Sequence, residues 1–317
     1  MHGNNKSDEE LRRAAEAGAW LVVLDALDEI ARAAALGVRR VLVRLTPGIE
    51  AETHEAVRTA HLGSKFGLPP DDALEAISRA GDAGLDLAGL HVHIGSQLLD
   101  AEAPLMTVDW LGAFAASCRA ETGWMPGVVD LGGGLGIRHT DEEAPPIEAF
   151  VGALVERLEQ AWRLHDLPRA QLVLEPGRSL VGEAGYTLYR VGAVKQASAT
   201  TTYVAVDGGM SDNPRPQLYG ARYTALLASR ADAEPSGTYA VCGKHCEAGD
   251  VLIDRVALPE PRRGDLLAVP ATGAYTLAMG SNYNGVARPA AVLVDGGEAQ
   301  LIRRRETVDD LLSFEVV

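Results

Sequence analysis

Short apolar runs alternate with segments in which apolar residues return every third or fourth position. The runs fall at 21–24, 41–45, 87–94, 128–131 and 171–174. Such runs separated by helical spacing are the β-α-β rhythm of a parallel sheet, in a barrel or a doubly wound arrangement. Ser7 followed by Glu10 predicts a capping box before Leu11, Ala14 and Ala15. Asp25 is expected to cap a second helix, with Leu27, Ile30, Ala31 and Ala34 on one face and Gly37 closing it. A third helix is expected over 147–164, where Phe150, Leu154, Leu158 and Trp162 share a side. Beyond about Tyr186 the helical rhythm stops. Runs at 187–194, 203–206, 251–256, 266–269 and 291–294 predict an all-β second half. The chain opens on His2-Gly3-Asn4-Asn5-Lys6-Ser7, which reads as the loop after a strand with no strand before it. About five or six parallel strands can be counted, short of a closed barrel of eight.

At 317 residues and 47% hydrophobic composition, the chain can bury a sizeable core and favours two domains or a barrel with an appendage. Its net charge of −15 opposes a nucleic-acid backbone or an anionic bilayer, so neither is an expected partner. No apolar run reaches the length of a membrane span, and no signal-peptide pattern opens the chain. The three cysteines, Cys118, Cys242 and Cys246, cannot build a disulfide framework and fit a reducing cytoplasm. Only four lysines are present: Lys6, Lys65, Lys195 and Lys244.

Most candidate chemistry follows the strand-like runs. Gly132-Gly133-Gly134-Leu135-Gly136 lets backbone amides approach a phosphate, or forms a tight turn; it does not complete a dinucleotide fingerprint. His91 and His93 alternate on one strand face, as metal ligands, as a ring stacked on a planar cofactor, or as a satisfied core pair. No third ligand at metalloenzyme spacing is near, and no metal is expected. Glu175-Pro176-Gly177-Arg178 offers a carboxylate for a heteroaromatic nitrogen and a guanidinium for a carboxylate, or an ordinary turn with a surface ion pair. Arg215, between two prolines and followed by Tyr219, could meet an anion or serve a structural loop. The run from Cys242 to Asp250 lacks the four ligands of a zinc knuckle, so a reactive Cys246 beside Lys244 and His245 is the more economical reading. Gly273-Ala274-Tyr275 and Ser281-Asn282-Tyr283-Asn284 place aromatic hydroxyls near a strand end.

Taken in order, these clusters resemble the diaminopimelate decarboxylases, members of the fold-type III pyridoxal-phosphate decarboxylases. The segments Thr46-Pro47-Gly48 and Ser64-Lys65-Phe66-Gly67 also look like this family. The resemblance implies a (β/α)8 TIM-type barrel over residues 1–185, N-terminally incomplete, followed by an all-β C-terminal domain over 186–317. It implies pyridoxal 5'-phosphate as cofactor and decarboxylation of meso-diaminopimelate to L-lysine and CO₂. His93 would stack on the ring, Glu175 would pair with its nitrogen, and Ser96, Gly133, Gly134 and Gly177 would lie at the phosphate. Arg178, Arg215 and Tyr219 would hold the distal end of an amino-acid substrate, and Tyr275 would touch cofactor and substrate. Cys246, as proton donor, and Glu247 would be offered across a homodimer interface in a cytoplasmic enzyme. The family's Schiff-base lysine matches none of the four lysines. The first barrel strands are therefore expected to be missing, leaving a chain poorly soluble or unstable alone. A related amino-acid decarboxylase, or a non-catalytic paralogue, stands as the alternative.

Overall fold

The computed structural model describes residues 1–48 and 63–316, which form two compact units. Residues 1–136 and 143–179 make the first, and 137–142 with 180–317 the second.

The first unit runs α1 (Asp8–Glu16), β1 (Val22–Leu24), α2 (Asp28–Ala35), β2 (Arg40–Arg44), α3 (Pro70–Asp82), β3 (Asp86–His91), α4 (Glu102–Thr122), β4 (Val128–Asp130), α5 (Ile147–Leu164) and β5 (Gln171–Val173). The strands pair in parallel in chain order, β1-β2-β3-β4-β5. A doubly wound sheet reverses its strand order and takes helices on both faces; sequential order is the barrel's arrangement. Alternate strand residues Val22, Leu24, Val41, Val43, Leu90 and Val129 pack into one core with the apolar stripes of all five helices. The opposite face carries a smaller cluster of Leu21, Val23, Leu42, Ala88 and Val128. Two residues further along their chains, that face becomes polar with Asp25, Arg44, Asp130 and Glu175, joined by His91 at the end of β3. All the site chemistry of this unit grows from that change of character.

The expected start of α1 and the expected span of α5 are observed, and the Ser7–Glu10 capping box is complete. Asp25 does not cap α2, whose N-cap Leu27 makes no side-chain bond. Its carboxylate is drawn instead into the sheet's polar row, where it accepts the Gly67 amide and lies 3.8 Å from Arg44. The run expected over 87–94 pairs only to His91, because its neighbour β4 ends at Asp130 and the last ladder bond is Val92 N–H to Asp130 O. His93 therefore stands in the loop after the strand.

In the second unit, β6 (Thr187–Gln196), β7 (Thr202–Val206), β8 (Leu226–Leu227), β9 (Gly237–Cys242), β10 (Val251–Leu258) and β11 (Leu266–Val269) form one sheet. Its order is β10-β9-β7-β6-β11-β8, antiparallel except for the β7–β9 pair. Tyr189, Val191, Val204, Val241, Leu252, Leu267 and Tyr223 fill its core. A separate hairpin joins β12 (Ala291–Asp295) to β13 (Glu298–Arg303). Short helices α7 (Arg215–Tyr219), α8 (Thr276–Met279) and α9 (Val308–Leu312) interrupt the β text, and α6 (Gly177–Val181) follows β5. Strands β8, β9 and β13 were not foreseen from the sequence; in β13 the polar residues Glu298, Gln300 and Arg303 dilute the apolar run.

Candidate active site

The N-terminal loop is tied down by a buried amine. Lys6 is 2% exposed and donates to Gly3 O at 2.6 Å and Val23 O at 2.7 Å, with Glu29 at 2.7 Å. Glu29 in turn accepts the Asp25 amide at 2.9 Å. A buried ion pair persists only when both partners are also hydrogen-bonded, and this one is. The anchored loop brings His2 Nε2 to 2.6 Å from Glu175 Oε1 and its ring edge-on to His91.

Asp130 completes the group. Its Oδ1 accepts the Gly132 amide at 2.9 Å, and its carboxyl lies close beside that of Glu175. Burial, then the Glu175 charge, pushes Asp130 up to about 7, while the bond from His2 helps hold Glu175 below the usual carboxylate range. The donor atoms of His2, His91, Asp130 and Glu175 lie within 4.8 Å of one another. Within this set His2 is already paired with Glu175 and Asp130 with the Gly132 amide. Burial holds His91 well below its ordinary value, and neither of its ring nitrogens has a hydrogen-bond partner among the described residues. Burial likewise brings His93 down to about 4, so both rings are neutral at pH 7.

The glycine loop is laced into this cluster. Glu175 N–H donates to Gly132 O at 2.8 Å, and Leu98 N–H to Gly134 O at 2.8 Å. A Cβ at Gly132, where φ is +66°, would meet His93 Nδ1 at 2.8 Å; one at Gly133 would fall on the Glu175 carbonyl oxygen. Bare backbone is thus required where the loop passes between His93 and Glu175. His93, Ser96, Gly133, Gly134, Glu175, Gly177 and the buried Arg178 all lie in the first unit. A carboxylate at the strand end, neutral imidazoles beside it and a glycine loop offer a heteroaromatic nitrogen, a ring and a phosphate their respective contacts. These features fit pyridoxal phosphate.

Arg215, Tyr219, Cys246, Glu247 and Tyr275 lie in the second unit. The guanidinium of Arg215 is buried; its NH1 lies 2.5 Å from Tyr223 Oη and 3.2 Å from His139 Nε2. Cys246 is exposed, and Glu247 accepts the Tyr283 hydroxyl. His245, expected beside the thiol, turns into the unit and meets Asp250 Oδ2 at 2.7 Å while stacking on Tyr283. Tyr275 takes φ +70°, a strained conformation for a non-glycine residue. Sequence reasoning assigned no role to His2, Asp130, His139 or Tyr223. Asp130 carried a signal, two positions after Val128 on the polar side of the strand, but it was absorbed into an apolar run.

Residues 1–182 match the family model for the pyridoxal-dependent decarboxylase, pyridoxal binding domain. The diaminopimelate decarboxylase of Mycobacterium bovis is 44% identical over 338 residues, covering 100% of this chain and 75% of its own. That of Halalkalibacterium halodurans is 40% identical over 325 residues, covering 100% and 74%. Among solved structures, diaminopimelate decarboxylase from M. jannaschii in complex with L-lysine superposes with a TM-score of 0.90 at 31% identity, covering 99% of this chain and 73% of that one. This chain therefore belongs to the pyridoxal-dependent decarboxylases, alongside the diaminopimelate decarboxylases it matches along its whole length.

Proposed function

We propose that the chain catalyses pyridoxal-phosphate-dependent decarboxylation of meso-2,6-diaminopimelate to L-lysine and CO₂, the last step of lysine biosynthesis. The observation that carries this is the junction of Glu175 with the glycine loop and His93 in a chain alike over its full length to diaminopimelate decarboxylases. When bound, pyridoxal phosphate supplies an electron sink for the pair left as the α-carboxylate departs.

The chain's own residues do the rest. Glu175 holds the ring nitrogen protonated, and neutral His93 stacks on the ring without placing a second positive charge beside it. Ser96, Gly133, Gly134 and Gly177 receive the phosphate, and Tyr275 contacts the cofactor. Arg178, Arg215 and Tyr219 bind the distal amino-acid end of the substrate, which a simple diamine product lacks. Cys246 delivers the proton that replaces CO₂, and Glu247 meets the distal ammonium; both act across a homodimer interface that shares the sites. Cofactor binding falls to residues 1–185 and the β-rich domain to 186–317, in a cytoplasmic enzyme.

Incubation with pyridoxal phosphate and meso-diaminopimelate, followed by mass-spectrometric detection, should yield L-lysine. Turnover of ornithine or arginine without lysine formation would instead favour a related decarboxylase. Borohydride reduction and peptide mapping test the attachment: no product and no modified lysine among Lys6, Lys65, Lys195 and Lys244 would leave a non-catalytic protein.

A further inference from the structure

Arg215 opens α7 in the second unit and is 5% exposed. No carboxylate among the described residues pairs with its guanidinium, whose contacts are to a hydroxyl and an imidazole. Arginine has donors only, so both bonds run outward from Nη1: the Tyr223 hydroxyl accepts at 2.5 Å and His139 Nε2 at 3.2 Å. A ring nitrogen accepts only when it carries no proton, which makes His139 neutral in this contact, with its hydrogen on Nδ1. The two acceptors are themselves held in place. Tyr223 is 3% exposed in the core of the unit, its ring meets that of His139 edge-on at 5.3 Å, and the His139 amide donates to Glu142 Oε2 at 3.1 Å. Both hydrogens of Nη1 are thereby used, while Nε and Nη2 have no hydrogen-bond partner among the described residues. A buried cation with no counter-charge is costly to keep, and its parallel Nε–H and Nη2–H match the two oxygens of a carboxylate.

We propose that His139 and Tyr223 are positioning residues for carboxylate recognition: by holding Nη1 they present the Nε–Nη2 edge of Arg215 as a fork for the carboxylate of an amino-acid ligand. The inference deepens the decarboxylase reading above and rests on it for the identity of that ligand, whose distal end is an amino acid. Two uncharged acceptors suit this task better than an acid. An Asp or Glu in either place would neutralise the guanidinium and compete with the incoming carboxylate. A hydroxyl and an imidazole fix the direction of Nη1 and leave the full positive charge for the ligand. A diamine has no oxygens for the fork, and the same charge repels its distal ammonium. The pair thus separates ligands at the binding step, through Arg215 rather than on the reacting atoms.

The test is equilibrium binding, by calorimetry, of L-lysine and of 1,5-diaminopentane to the full chain loaded with pyridoxal phosphate. L-Lysine keeps the amino-acid end, and 1,5-diaminopentane is the same molecule without its carboxylate. Tyr223→Phe and His139→Phe keep an aromatic ring but lose the acceptor. Each should weaken L-lysine binding about tenfold and narrow the preference over 1,5-diaminopentane by the same factor, with pyridoxal-phosphate absorbance and affinity as in the wild type. His139→Gln, whose side-chain oxygen can accept from Nη1, should restore most of the loss. Equal weakening of both ligands, or phenylalanine variants that bind L-lysine as the wild type does, would overturn the proposal while leaving the decarboxylase reading intact. A wild type that does not bind pyridoxal phosphate, or that has no preference for L-lysine over the diamine, would remove both. Should Tyr223→Phe not fold, the comparison of His139→Phe with His139→Gln decides alone.

Discussion

Gly133 has no room for a side chain, since a Cβ there falls on the Glu175 carbonyl oxygen. Gly133→Ala should cost about 1–3 kcal/mol in urea unfolding, because rigid backbone on both sides must shift. It should also abolish pyridoxal-phosphate binding, followed by cofactor fluorescence. The buried ionisable groups leave a mark on stability against pH. His93 is lowered from its ordinary 6.5 to about 4, so its contribution is full above pH 6.5 and is lost as pH falls towards 4. Asp130 is raised from 3.8 to about 7, so its contribution is full below pH 4 and is lost as pH rises through 7. The two slopes oppose each other between pH 4 and 6.5. Urea midpoints of Asp130→Asn should therefore gain on the wild type steadily from pH 4.5 to 7.5; a constant gap would contradict the assignment. None of this was legible in composition, since a pKa shift depends on what burial places beside the group.

The N-terminal loop and α2 are joined by the buried ion pair of Lys6 with Glu29, whose side chains are 2% and 5% exposed, and by the Arg32 guanidinium donating to Lys6 O at 2.7 Å. Lys6→Met removes one partner and leaves a buried carboxylate, at an expected cost of about 3–5 kcal/mol. Replacing both, Lys6→Met with Glu29→Leu, should recover much of that loss, measured as a double-mutant cycle by chemical unfolding. A milder change, Ser7→Ala, removes the α1 cap and should cost about 1 kcal/mol. Where local chemistry dominates, sequence reasoning served well: the capping box and the stripe Phe150, Leu154, Leu158 and Trp162 are where periodicity puts them. Asp25 misled because its side chain had two possible partners. A helix start beckoned locally, yet a buried row with the Gly67 amide and Arg44 took it.

Across the whole molecule, apolar surface is unevenly covered. The β12–β13 hairpin exposes Val292, Leu293, Val294, Leu301 and Ile302 by half or more, and a lone two-stranded hairpin is marginal in water. Contiguous apolar surface of this kind seeks a partner. The chain should self-associate as concentration rises, and Val294→Glu with Ile302→Glu should shift sedimentation velocity profiles towards the smaller species. Unchanged profiles would show that association, if present, uses another surface.

Sequence alone determined the β-α-β rhythm, the change to β structure near Tyr186 and the order of the motifs, because each depends on residues close together in the chain. Seven weak motifs in series also pointed to pyridoxal chemistry, before any geometry. Only the tertiary structure decided that the sheet runs in sequential order, that β3 stops at His91, and that His2 and Asp130 converge on Glu175 from 173 and 45 residues away. Those outcomes depend on strand register and on which polar groups are buried together, and both are settled by packing between segments that the chain itself keeps far apart.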